Sequence, residues 1–285
     1  MKHVVCYSGG HSSALVAIEV ARKFGAENVI LLNHDINKSI EDGDIKRFKQ
    51  QVADYLGVDI TFANHDRWNT ETPISVCLDA GAWKVGNGSI LCTNRLKTNP
   101  FNEWLQLCDP NKVNTYYYGF DKNELHRVQR RIGAMGGSGY KTDYPLALWD
   151  DSERTIFDVS EVGITRPMAY GKFKHANCIG CLKAGWQHWY IVYCERRDVW
   201  EQAKSAEDEI GYAIHKDKDG PIYLSEKEEL FHKMQLAGIQ PTEHISSGKF
   251  WSIAKEMASA KAAGIPVEQL DMFSCNDAMP CECSF

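Results

Sequence analysis

The sequence predicts a doubly wound α/β fold, built on a parallel sheet and followed by a mostly helical, cysteine-bearing C-terminal part. Three observations predict it. Short apolar runs alternate with segments of helical period through the first half of the chain. Repeated strand–helix–strand units imply parallel strands, because each helix returns the chain to the start of the next strand. A Ser-Gly-Gly turn follows the first apolar run directly and opens an apolar-periodic helix.

In chain order, residues 3–7 read as a strand and 12–24 as a helix. The run Asn-Val-Ile-Leu-Leu-Asn at 28–33 reads as a buried strand, since parallel strands are covered on both faces. Residues 40–56 have a helical period, with Ile45, Phe48, Val52 and Tyr55 on one face. Residues 58–63 form a third strand, a helix follows near 98–108, and 113–118 form a fourth strand. The glycine-rich stretch 133–139 reads as a loop, a plain connector before a mobile part of the site. After residue 145 the pattern turns helical, near 156–163, 186–213, 225–237 and 247–263. The expected division is an α/β domain over 1–150 and a helical region over 151–285.

Composition narrows the function classes. At 285 residues, with 44% hydrophobic and 25% charged side chains, the chain has the make-up of a soluble globular protein. A net charge of −6 argues against a broadly basic nucleic-acid surface and leaves a local patch open. No apolar run reaches membrane-spanning length, and the chain enters a strand at once, so neither a membrane anchor nor a signal peptide is expected. Ten cysteines in a long chain without a signal point to a reducing cytoplasm, with some thiols serving metal or redox chemistry. Cys6, Cys108 and Cys194 lie in strand or apolar-periodic segments and read as core.

Four stretches carry candidate chemistry. Tyr7-Ser8-Gly9-Gly10-His11-Ser12-Ser13 places a strand end, a glycine turn and a helix N-terminus together. Such a turn brings backbone N–H groups and the positive helix end to an anion, or it is only a turn. Cys92-Thr93-Asn94-Arg95-Leu96-Lys97 gathers a thiol and two cations, which suits an anionic ligand or a solvated helix face. Gly119 to Arg127 follows the fourth strand. Arg127, Arg130 and Arg131 stand at helical spacing, although Arg130 and Arg131 read better as surface charge. Cys178-Ile179-Gly180-Cys181 reads as two thiolates for a metal, ahead of a bare redox dithiol. Cys92 is the obvious third ligand. Three thiolates suit an iron–sulfur cluster, and a fourth from Cys77 or elsewhere suits structural zinc. The tail adds Cys275, Cys281 and Cys283 as a thiol acceptor or a second clip.

These stretches, in this order, resemble the phosphoadenosine phosphosulfate (PAPS) reductase-like family of the adenine nucleotide alpha-hydrolase superfamily. The resemblance covers residues 1–207. It rests on Ser8-Gly9-Gly10 with Ser13, Asp35 after the second strand, and Cys92-Thr93 with Lys97 and Pro100. Gly119 with Glu124 and Arg127, and Cys178 and Cys181 with Trp189, complete it. The chain departs from the family's usual Ser-Gly-Gly-Lys-Asp-Ser loop at His11 and Ser12. Asp121 stands where many relatives have arginine.

The resemblance implies an adenine nucleotide with its phosphates on residues 8–13 and its adenosine near Asn33, His34 and Asp35. It implies Lys97, Glu124 and Arg127 on the phosphate side. The internal cysteine pair looks more like cluster-bearing relatives that cleave ATP to AMP and pyrophosphate and activate an oxygen for replacement by sulfur. The expected cofactors are therefore ATP, Mg²⁺ and a [4Fe-4S] cluster on Cys92, Cys178 and Cys181, with Zn²⁺ as the alternative. The acceptor stays open among tRNA, DNA, a nucleoside and a protein thiol. A partner protein that presents it, and a homodimer, are also open. One runner-up is reductive cleavage of PAPS or APS by Cys281 or Cys283, and another is a nucleotide-binding module without turnover.

Overall fold

The computed structural model describes residues 1–176 and 178–262. They form two compact units: Met1–Tyr170 with His175–Cys178, and Gly171–Lys174 with the described residues from Ile179 on. Residues 151–170 thus lie with the first unit. Buried Glu19 explains why: its carboxylate accepts hydrogen bonds from the backbone N–H groups of Thr155 and Ile156, at 2.6 and 2.9 Å.

The first unit runs β1 (His3–Cys6), α1 (His11–Phe24), β2 (Val29–Asn33), α2 (Gly43–Leu56), β3 (Ile60–Phe62) and α3 (Pro73–Ala80). A short helix α4 (Leu91–Thr93) and a π turn (Asn94–Thr98) then lead into α5 (Asn99–Cys108). β4 (Thr115–Tyr117), α6 (Leu125–Gly137), β5 (Lys141–Asp143) and α7 (Pro145–Leu148) complete it. The five strands lie in the order β3-β2-β1-β4-β5, and every pairing is parallel. This is the parallel α/β architecture expected from the alternation of elements.

Side-chain alternation along the strands builds two cores. Val5, Tyr7, Leu31 and Tyr117 join Ala14, Leu15 and Ile18 of α1 and Phe48 and Val52 of α2. Their neighbours Val4, Leu32, Tyr116 and Tyr118 join Leu105 of α5 and Val128 and Met135 of α6. The sheet is covered on both faces, as a doubly wound sheet must be. α2 starts where Asp42 accepts from the Asp44 N–H, which satisfies a free donor of the first turn. Its apolar face buries Ile45, Phe48 and Val52, whereas Tyr55 stays exposed and receives Arg22 at its hydroxyl.

Some elements depart from the sequence expectation. The 133–139 stretch is not a loop over most of its length. α6 continues to Gly137, because Val128 and Met135 anchor it on the sheet. The segment near 156–163 is a 3₁₀ turn (Val159–Val162) closed by a reciprocal Asp158–Glu161 capping box. The span 186–213 breaks at Arg196 into α8 (Trp186–Glu195) and α9 (Arg197–Ile210). α3 and β5 had no sequence forecast. β5 reads Lys-Thr-Asp, with no apolar alternation to reveal it.

The second unit packs α8 and α9 with a hairpin of β6 (His215–Lys216) and β7 (Pro221–Ile222), α10 (Leu224–Leu236) and α11 (Ser247–Ala262). Trp189, Trp200, Tyr190, Phe231 and Phe250 are its largest fully buried side chains among the described residues. Glu207 ties the end of α9 to the hairpin and to α10, accepting from Ile214 N at 2.7 Å and Leu224 N at 2.6 Å.

Two buried groups of this unit titrate against each other. Burial pushes the Glu207 carboxyl up from 4.5 to about 7. Between those values the folded chain keeps a proton that the unfolded chain releases, so this group makes stability fall as pH rises. Burial, with the neighbouring His188, holds His215 down from 6.5 to about 4. The unfolded chain then takes a proton the folded chain refuses, so this group makes stability fall as pH drops. Urea midpoints of the second unit should therefore stay nearly level from pH ~4.5 to ~6.5. In His215→Phe the Glu207 effect is unmasked, and the midpoint should fall as pH rises through that window. A level profile in the variant would contradict the assignment.

Candidate functional site

The order β3-β2-β1-β4-β5 reverses direction between β1 and β4. At such a switch point the loops after the two strands diverge and leave a crevice at their carboxyl ends. Residues 8–13 follow β1, and Gly119 follows β4. The sequence motif and the topology therefore select the same place.

The loop is shaped by what it lacks. Gly9 has φ +82°, and a Cβ there would meet the Lys49 Cγ and Cδ atoms at 2.7 Å. A Cβ on Gly119 would lie 2.9 Å from Ser13 N and 3.0 Å from Ser12 C. Two bare backbones thus meet at the N-terminus of α1. Gly10 precedes the helix without a side-chain cap. Among the described residues, the N–H groups of Ser12 and Ser13 have no hydrogen-bond partner. Ser13 Oγ donates to Gly10 O at 2.8 Å and accepts from Ser8 Oγ at 3.2 Å, which stiffens the turn. Ser8 and Ser12 are exposed. Free donors at a positive helix end make a physical anion site.

His11 turns aside from this opening. Its Nε2 accepts from Val159 N at 3.4 Å and lies 3.6 Å from Asp158 Oδ2. Burial and the Arg166 charge hold its pKa below the usual histidine range, against the pull of Asp158. The imidazole is an acceptor here and supplies no fixed cation. The His11 backbone N–H donates to the Tyr170 hydroxyl at 2.9 Å.

At the end of β2, Asn33 is buried and donates to the Tyr7 carbonyl. Its Oδ1 accepts from Lys49 Nζ at 3.2 Å. Lys49, only 3% exposed, also donates to Glu41 Oε2 at 2.9 Å and lies 3.8 Å from Asp35 Oδ1. Lys46 donates to Asp35 Oδ1 at 2.5 Å. Tyr7 contributes its carbonyl, while its ring packs in the core and its hydroxyl reaches Lys49 O. His34 Nδ1 faces the Ala63 carbonyl at 2.5 Å. Burial holds the His34 pKa below the usual histidine range, against the hydrogen bond to the Ala63 carbonyl and with the help of the Lys97 charge.

The groups after β4 are mutually engaged. Arg127 pairs with Glu124 and lies 4.3 Å over the Phe120 ring. Glu124 also accepts from Asp121 N at 3.3 Å in a capping box. Arg131 lies 5.1 Å over the Tyr118 ring, so it is held on the sheet rather than placed in a free basic stripe.

The cysteines are distributed. Cys92 is half buried in α4, and its backbone faces the buried Cys77 thiol, which burial pushes up to about 11. Cys178 belongs to the first unit and Cys181 to the second. Among the described residues, no group of three or more His, Cys, Asp or Glu side chains is arranged to hold a metal ion. Cys275, Cys281 and Cys283 lie outside the described residues. Among the described residues, no helix is long and apolar enough to cross a membrane.

Two participants escaped sequence reasoning. Lys49 had a signal: it shares the helical face of Ile45, Phe48 and Val52, where a lysine is out of place unless paired. Tyr170 had none, because it meets the loop across most of the chain.

The site so defined is that of a parallel α/β protein with an uncapped helix N-terminus at its topological switch point. The chain matches no protein-family model, and no match was found among curated proteins or solved structures.

Close backbone contact makes a direct test. Gly119→Ala should cost ~1–3 kcal/mol by overpacking. Gly133→Ala, with open space around the added methyl, should gain ~0.5–1 kcal/mol as a helix substitution. Thermal melts of the two variants check this. Equal effects would deny the contact between β4 and α1.

Proposed function

We propose that this chain is an adenine-nucleotide enzyme that cleaves ATP to AMP and pyrophosphate and so activates an acceptor oxygen for sulfur transfer. The observation that carries the reading is the α1 N-terminus at the switch point. Its Ser12 and Ser13 N–H groups are free among the described residues, and Gly9 and Gly119 clear space around it. The ordered resemblance of the flanking motifs supports ATP as the anion.

In this reading the pyrophosphate moiety of Mg²⁺-bound ATP lies on residues 8–13. The N–H groups of the loop take up charge as it develops on the leaving group. The acceptor oxygen forms a bond to the α-phosphorus, and the bond from that phosphorus to the bridging oxygen breaks. Pyrophosphate leaves with the electron pair, and the acceptor is left adenylated. A sulfur nucleophile then displaces AMP. The adenosine lies toward Asn33, His34 and Asp35, and Lys97 adds positive charge at that strand end. Arg127 reaches a phosphate only by leaving Glu124.

Tyr170 is the residue to watch. Its hydroxyl holds the His11 N–H that a phosphate oxygen would otherwise take. Pyrophosphate binding therefore exchanges one hydrogen bond for another.

Nucleotide chromatography after anaerobic incubation with Mg²⁺ and ATP should show AMP and pyrophosphate, formed slowly with water as the acceptor. Gly9→Val should abolish them. Phosphoadenosine phosphate and sulfite from PAPS with a thiol reductant would instead identify a reductase acting through the tail cysteines. ATP binding without any product would identify a binding module. Tyr170→Phe should tighten pyrophosphate binding by ~3–10-fold, the size of one modest hydrogen bond. Weaker binding in that variant would mean that the hydroxyl is part of the anion site rather than its competitor.

A further inference from the structure

The first unit holds a second hollow, apart from the loop, with a volume of about 270 Å³. It opens beyond β3, between the turn that follows this strand and the start of α5. Asn64, His65, Asp66, Arg95, Asn99, Pro100 and Glu103 line it. Arg95 stands in the π turn that precedes α5, and such turns are concentrated at functional sites. Arg95, Asn99 and Glu103 follow one another at four-residue spacing along this helical stretch, on the side that forms the wall.

The charges of this hollow are unspent. Arg95 is half buried, yet among the described residues its guanidinium makes no hydrogen bond or ion pair. The carboxylates of Asp66 and Glu103, on exposed residues at the rim, pair with no described residue. Asn64 is fixed in the wall, since its Oδ1 accepts the Asp35 N–H at 2.7 Å. The neighbouring carboxylate, Glu71, is engaged at Oε1 by Arg67, and its Oε2 lies 3.2 Å from His65 Nδ1, which itself accepts from Arg67 N. Among the described residues, the hollow therefore keeps one free cation and two free anions around a space that none of them fills.

We propose that this hollow binds a free α-amino acid. A phosphate or another simple anion would meet two carboxylates. A simple cation would meet a guanidinium. A molecule with a carboxylate and an ammonium one carbon apart satisfies both kinds of wall. Arg95 takes the carboxylate, for which its planar fork is suited. Asp66 and Glu103 take the ammonium, and the amides of Asn64 and Asn99 supply neutral donors and acceptors. Pro100 gives the apolar surface for the side-chain stem. The volume lies just below the range of pockets for drug-sized ligands, which suits a small metabolite.

The inference does not depend on the nucleotide reading, and its test is independent of turnover. Calorimetric titration of the full chain with glycine, L-alanine, L-glutamate, L-lysine and L-phenylalanine is the experiment. At least one should bind with Kd of ~1 mM or tighter. Ethylamine and acetate, which each carry one of the two charges, should bind at least ~10-fold more weakly. Arg95→Gln and Glu103→Gln should each weaken the amino acid by ~10-fold or more, with unchanged melting temperature because neither side chain is paired. AMP at saturating concentration should leave the titration unaltered. No binding by any of the five, binding that survives Arg95→Gln, or competition by AMP would each overturn the proposal. Gly9→Val should retain amino-acid binding, which separates failure here from failure at the loop.

Discussion

The structure turns on one close approach: the backbone of Gly119 pressed against the first turn of α1 at Ser12 and Ser13. β1 and β4 are neighbours in the sheet, and the chain leaves them in different directions. If either loop end carried a side chain, the helix would be pushed off the sheet edge and its N–H groups would point elsewhere. Gly9 imposes the same demand from the other side, where the Lys49 stem fills the space below it. The crevice exists because both positions have no Cβ, and because Lys49 is long enough to fill the floor without entering it.

That floor is a charged interior that must be balanced. A buried ammonium is costly unless it is paired and hydrogen-bonded. Lys49 finds Glu41 and Asn33, and Asp35 lies beyond them with Lys46 as its own partner. Asn33 in turn holds the carbonyl of Tyr7, the last residue before the loop. The helix α2, the end of β2 and the start of the loop are therefore one hydrogen-bonded assembly. The rigidity of the turn follows from this network as much as from the serine contacts within it. The loop itself has no cation, and His11 faces away as an acceptor, while the Lys49 stem beneath Gly9 makes a positive group part of the loop's support.

Much of the fold was legible in the sequence because hydrophobic period survives without knowledge of the tertiary structure. β1, β2, α1 and α2 were marked by runs such as Val-Ile-Leu-Leu and by the face of Ile45, Phe48 and Val52. β5 was not, since a polar edge strand carries no alternation to detect. The glycines of α6 misled in the opposite direction. Glycine lowers helix propensity, but Val128 and Met135 on the sheet outweigh it. At the site, the loop was legible because its chemistry is local: strand, glycines and helix start within a few residues. Tyr170 depends on where a distant segment settles, and nothing near the loop in sequence marks it.

The two openings at the carboxyl edge of the sheet differ in kind, and the difference follows from how each is walled. Residues 8–13 present backbone donors with no carboxylate among them, which favours a bare anion. The hollow beyond β3 is walled by side chains of both signs, which favours a molecule that carries both. The Asn64–Asp35 hydrogen bond joins their supports, because it fixes the wall of one to the strand end beside the other. The parallel sheet thus sets two chemically distinct openings at the ends of β1 and β3, with β2 between them, and their selectivity comes from the loops rather than from the strands.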